Sequence, residues 1–324
     1  MCGVSYLDEQ TKSRIAAWGA VRHQVGHSPF GADDQIGMLN LITPVISASM
    51  LSRADTGAVF DLSVDLFPGM PTWTQGGEPP YQIWMNHTPQ GSMVDDPVGV
   101  GAVQNELVAW SADSISMFTH CGTHVDTLNH FGYRNTIWNG FTVEDHLGST
   151  GWTVAGPDTH RPIIARGVLL DVASAHDLDV LPDSFAIGPD DLEMTASRQG
   201  SEVRPGDVVM VRTGRGSTWP DPTAYLPREP GLDRAGAEWL AQRGAAMIGA
   251  DNIALEQQPS SDDENWLPVH TYLLAEAGVP IVEVVELEGV AEAGLYEFCY
   301  LGAALKLRGA TAGPLRPLAF PLRG

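Results

Sequence analysis

Thr119-His120-Cys121-Gly122-Thr123-His124-Val125-Asp126-Thr127-Leu128-Asn129-His130 carries three of the chain's ten histidines and one carboxylate. His120, His124, Asp126 and His130 all occupy even positions, and an extended chain sends alternate side chains to one face. Fully extended, His120 would lie roughly 13 Å from His124, too far to share one ion. The backbone must therefore fold back, and Gly122 supplies the residue without a Cβ that such a bend favours. From His124 to Asp126 the step is about 7 Å, which two side chains can close on a single ion. Imidazole with carboxylate suits zinc, manganese or iron, whereas calcium and magnesium prefer all-oxygen shells. The plainer alternative is a set of polar loop residues satisfied beside the core. It accounts for any one of these histidines better than for four potential ligands at this spacing.

Upstream, Thr43-Pro44 has the form of a helix start and Gly57 that of a stop. Phe60, Leu62, Val64 and Leu66 then alternate with Asp61, Ser63 and Asp65, which predicts a half-buried strand. Thr74 to Leu107, rich in Pro and Gly, reads as a long surface excursion. Glu106 to Thr119 reads as a strand that delivers the histidines. Downstream, the apolar runs 167–172, 206–214, 246–251 and 280–285 read as buried strands. Helical segments fall between them near 189–198 and 233–243. The alternation predicts an α/β protein. No linker divides it, so residues 1–324 are expected to form one domain, with 1–57 a helical extension packed on it.

The formal charge of −22 from 18 basic and 40 acidic residues argues against nucleic acid and anionic membrane surfaces as partners. A small-molecule substrate remains. No apolar run approaches a membrane span, and the first residues lack the pattern of a signal peptide. Three cysteines, Cys2, Cys121 and Cys299, give no disulfide framework and suit a reducing compartment. A cytoplasmic location is expected. Serine-elbow, P-loop, His-Glu-x-x-His and dinucleotide motifs are absent from the sequence.

His120-Cys121-Gly122-Thr123-His124-Val125-Asp126 with His130 resembles the His-x-Gly-Thr-His-x-Asp-x-Pro-x-His signature of the cyclase family of metal-dependent hydrolases. That family includes bacterial kynurenine formamidase, isatin hydrolase and trans-dienelactone hydrolase; the signature's proline falls here on Leu128. The later runs resemble family landmarks in family order, and the N-terminal forty residues suggest its longer members. The resemblance implies a swivelling β/β/α fold, with a mixed sheet curled into a barrel-like core and helices outside. It also implies a homo-oligomer, and a second ion held by His270 and Glu283 with Asp126 bridging. A glutamate among Val282, Val284 and Val285 would be costly to bury without a partner, which favours a role for Glu283.

The expected chemistry is hydrolysis of an amide or lactone, cyclic or aryl-linked as the resemblance suggests. Mn2+ or Zn2+, one ion or two, would be held by His120, His124 and Asp126, and would ready a water and polarise a carbonyl. His130 would shuttle the proton. Thr123 and Cys121 would steady the ligands, and Trp73 and Trp138 could line an aromatic pocket. Arg212 is expected in a salt bridge with Asp207 or Asp251. The alternatives are a metal-assisted cyclase or dehydratase, and a non-catalytic metal-binding protein.

Overall fold

A computed structural model describes residues 24–262 and 265–323. Nine strands share one sheet: β1 (Phe60–Asp61), β2 (His124–Asp126), β3 (Ile163–Asp171), β4 (Val208–Arg212), β5 (Met247–Ala250), β6 (Ile281–Glu283), β7 (Glu297–Gly302), β8 (Ala312–Pro314) and β9 (Leu318–Pro321). Their order is β1-β9-β7-β3-β4-β5-β6-β2-β8. β3 to β6 run parallel, and the pairings flanking them are antiparallel. The sheet curls through 283° into a half-barrel with helices around it, as the family resemblance implies; the α/β pattern predicted the mixture of strands and helices.

Both faces of the central strands are covered, which explains their near-continuous apolar runs. Val168, Leu170, Val209, Val211 and Ile248 pack with Leu192, Leu240 and Leu273 from the helical layer. Alternate residues, among them Ala165, Leu169, Val208, Met210 and Met247, pack with Phe298 and Tyr300. Each fully buried Leu or Val contributes about 1.5–3 kcal/mol. The helix Arg234–Gln242 is capped by Asp233, whose side chain accepts from Gly236 N at 2.6 Å; it buries Ala237, Leu240 and Ala241 along one stripe. Pro44–Arg53 starts at Thr43 as predicted, but stops ahead of Gly57 because Ala54 is extended and bridges to Leu322.

Four local expectations are corrected. Only Phe60–Asp61 of the predicted strand pairs, since Ser63 bonds back to the Asp61 carboxylate and pulls the chain off the sheet. The excursion is not structureless: Gln82–His87 pairs with Ala112–Ser116, and short helices Pro89–Asp95 and Ala102–Leu107 lie between them. The strand before the histidines therefore belongs to this arm and not to the main sheet. Of the N-terminal extension, residues 1–23 lie outside the described residues. From 24 to 36 the chain is loop, and Asp34 organises it by accepting from Ser28, Gly37 and Asn40. Arg212 pairs with Asp171 and Glu288, while Asp207 takes Arg166.

Candidate metal centre and its pocket

Gly122 does bend the chain, with φ +60°. Its carbonyl oxygen accepts from His124 Nδ1 at 2.8 Å. A carbonyl can only accept, so Nδ1 carries the proton and Nε2 is left free to bind. That Nε2 lies 3.3 Å from Asp126 Oδ1 and 3.2 Å from Glu283 Oε2. His120 Nδ1 approaches Asp126 Oδ1 at 2.7 Å, and its Nε2 meets Thr311 Oγ1 at 2.8 Å. His130 Nε2 lies 3.8 Å from Asp126 Oδ2. Its ring packs on His120 with centroids 4.0 Å apart.

His270 enters from a distant part of the sequence. It ends the turn Pro268–His270, ahead of a π-helical segment Thr271–Ala277. Glu256 accepts from His270 Nδ1 at 2.7 Å and from the backbone N–H groups of Val269 and His270. This turns His270 Nε2 toward Glu283 Oε1 at 3.1 Å and Asp126 Oδ2 at 3.6 Å. Two triads thus share Asp126: His120, Asp126 and His130, and His124, Asp126 and Glu283.

The residues fit a cation. His124 Nε2, both Asp126 oxygens and Glu283 Oε1 are buried, and the polar atoms they face are those of the cluster itself. Such atoms are costly to bury unless something charged satisfies them. The electrostatics agree. Burial works against charge on His124, yet the Asp126 and Glu283 carboxylates push its pKa up to about 10. His270 is raised well above the imidazole range against the same desolvation, by Asp126, Glu256 and Glu283. Asp126 is held well below the carboxylate range despite burial, by His120 and His130. His130 is driven the other way, well below the imidazole range, by burial and then by the neighbouring His120. Its side chain is 23% exposed, so solvent tempers that shift.

A cavity of about 140 Å³ opens onto His120, His130, His270 and Glu283. Trp73, Phe118, Phe131 and Trp266 line it, with Trp73 and Trp266 centroids 6.4 Å apart. Trp138, the other candidate wall, lines no part of it. It is wholly buried in the core, where its ring fills the space beside Gly26 and Gly278. Cys121 faces an apolar cluster with Met70 and Tyr81, and burial raises its pKa to about 11. Thr123 donates to Val284 O at 2.6 Å and accepts from Val64 N at 2.9 Å, which ties β2 to the segment after β6. Glu256, Thr311, Phe131 and Trp266 were not singled out from the sequence. The weak signal available was a lone acid, Glu256, between a buried strand and a helix start.

A curled-sheet α/β protein with a buried His/Asp/Glu cluster fitted to a divalent metal is the class that fold and site define. The Cyclase family model matches residues 60–257, well over half of the chain, and the chain belongs to that family. A crystal structure described as a novel cyclase superposes with a TM-score of 0.80 at 29% identity, covering 92% of this chain and 99% of the other. Isatin hydrolase A from Labrenzia aggregata, bound to benzyl benzoate, gives 0.61 at 19% identity over 82% and 94%. A predicted metal-dependent hydrolase from Bacillus stearothermophilus gives 0.54 at 22% identity over 81% and 98%. No protein of curated function matches the sequence. Among the described residues, no helix is long and apolar enough to cross a membrane.

Proposed function

We propose that this chain is a metal-dependent hydrolase that opens an amide or lactone bond, cyclic or aryl-linked, in a small molecule. The observation that carries the reading is the convergence of His124 Nε2, the Asp126 carboxylate and Glu283 Oε1, buried and facing only one another and the neighbouring imidazoles, beside an aromatic-walled cavity. The likeness to isatin hydrolase and metal-dependent hydrolases supports the reaction class. Mn2+ or Zn2+ would be held by His120, His124 and Asp126, and a second ion by Glu283 and His270 with Asp126 shared. Such an ion supplies Lewis acidity toward a carbonyl and a lowered pKa for water.

The chain's own residues do the rest. His124 presents Nε2 because Gly122 O fixes its tautomer. His130, kept neutral by burial and by His120, accepts a proton and returns it to the departing nitrogen or oxygen. Thr123 fixes the backbone beside Glu283 through Val284 O, and Cys121 packs behind the bend. Trp73, Phe118, Phe131 and Trp266 position a flat ring and exclude water.

We place the protein in the cytoplasm as a homo-oligomer. The arm at residues 82–116 is the surface that supports self-association, since Trp84, Met85, Val94, Val103 and Leu107 stand exposed on it.

The test is elemental analysis of the purified protein, with a panel of aryl formamides, cyclic amides and lactones in ¹⁸O water. Metal with label in the product supports the hydrolase. Turnover without label would indicate the cyclase or dehydratase, and metal without any turnover a binding protein. His124→Ala should remove metal and turnover together. His130→Ala should keep the metal and cost on the order of 10²–10⁴ in rate.

A further inference from the structure

The cavity beside the cluster is aromatic and one-signed. Trp73, Trp266 and Phe131 form a continuous wall, with centroids 6.4 Å and 5.9 Å apart. Among the described residues, the ionisable side chains lining it apart from the imidazoles are Glu78 and Glu283, and neither lysine nor arginine reaches it. Glu283 belongs to the cluster, where it faces the imidazoles of His124 and His270. Glu78 has no such partner. Its Oε2 accepts from Gly76 N at 2.9 Å, a neutral donor, and it has no ion-pair partner among the described residues. Away from the cluster, Glu78 is thus a negative charge beside aromatic faces with no cation of the described residues paired to it, in a chain whose formal charge is −22.

Both features recognise the same chemistry. Aromatic faces attract cations, and more strongly where water is excluded. A pocket of one sign also concentrates ligands of the opposite sign. A ligand carboxylate directed away from the metal would enter without a cation to meet it, and unpaired charge is costly to desolvate.

We propose that this pocket selects substrates that carry a positively charged group beside the scissile carbonyl, and that Glu78 is the residue that reads the charge. The proposal rests on the hydrolase reading above and narrows its substrate class. Cationic aryl amides or lactones are taken, their neutral isosteres less well, and carboxylate-bearing analogues least.

The experiment uses metal-loaded protein and three N-aryl formamides, the first two matched in shape. Their ring substituents are (trimethylammonio)methyl, the isosteric neutral neopentyl, and carboxymethyl. The expected order of kcat/KM is cation, neutral, anion, with the cation ahead of its isostere by roughly three- to tenfold. The advantage should shrink in high salt. Glu78→Gln should bring the cation-to-neutral ratio close to one, and Glu78→Lys should invert it. Calorimetric binding of benzyltrimethylammonium should weaken by a similar factor in Glu78→Gln. A cation-to-neutral ratio indifferent to Glu78→Gln, or a wild-type preference for the carboxylate, overturns the proposal. If none of the three formamides is cleaved and the panel of cyclic amides and lactones also gives no turnover, the hydrolase reading falls. Calorimetry then still decides the charge reading: benzyltrimethylammonium affinity that depends on Glu78 supports it, and affinity that does not overturns it.

Discussion

His124 and Glu283 stand directly opposite each other on antiparallel neighbours, with Nε2 3.2 Å from Oε2. The same register sets Ile281 against Asp126. A slip of one residue would turn Glu283 to the other face of the sheet, so this register holds the second triad together. Glu283→Ala should therefore weaken divalent-metal affinity by at least about a hundredfold while leaving the β2–β6 pairing intact. Titration with Mn2+ or Zn2+, checked by circular dichroism for an unchanged fold, measures it. Undiminished affinity in a folded variant would remove Glu283 from the centre.

Glu256 holds three donors, the His270 ring and two backbone N–H groups, and is 1% exposed. Glu256→Gln keeps the shape but loses the charge-assisted bond that fixes His270 Nε2 toward Asp126 and Glu283. A loss of roughly 10–100-fold in metal affinity is expected, with about 1–3 kcal/mol of stability. Nitrogen-15 NMR of the imidazoles separates the two effects. A purely structural role would lower the melting temperature and leave the His270 tautomer unchanged.

What the sequence made legible was local. The bend at Gly122, the shared face of His124 and Asp126 and the capped helix at Thr43-Pro44 all follow from neighbours along the chain. Glu256 and Trp266 were hidden because only tertiary packing brings them to His270 and Phe131. Arg212 shows the same limit. Its partners Asp171 and Glu288 come from a neighbouring strand and a helix, not from the acids nearest in the motif. Trp138 failed as a pocket wall because loop position does not report burial, and the small residues Gly26 and Gly278 make room for its ring in the core.

The raised pKa of His124 gives a pH dependence with a definite sign. The ordinary imidazole value is 6.5 and the folded value about 10, so burial is outweighed by the Asp126 and Glu283 carboxylates. A raised folded-state value means stabilisation that is complete below about pH 6.5 and lost as pH climbs through about 10. Chelator-treated protein should thus melt at progressively lower temperature across that window. A dication takes the proton's place, so binding should release protons and its apparent affinity should rise over the same range. Calorimetry in two buffers of different ionisation enthalpy counts the protons. No proton release, with a melting temperature flat or rising after chelation, would contradict the assignment.

Gly122→Ala tests the bend itself. A Cβ there would run into Leu66 Cδ2, and φ +60° is a conformation that residues with a Cβ avoid. The two costs can be separated, because only the first depends on Leu66. Gly122→Ala alone should destabilise the protein by about 1–3 kcal/mol. It should also weaken metal binding, since the carbonyl that fixes the His124 tautomer belongs to the displaced residue. Adding Leu66→Ala should relieve the collision and recover part of the metal affinity, while the backbone strain persists. Denaturant melts and metal titrations of the single and double variants measure both quantities. If Gly122→Ala binds metal as tightly as the parent, the bend does not position His124, and the order of the site must be sought in the β2–β6 register alone.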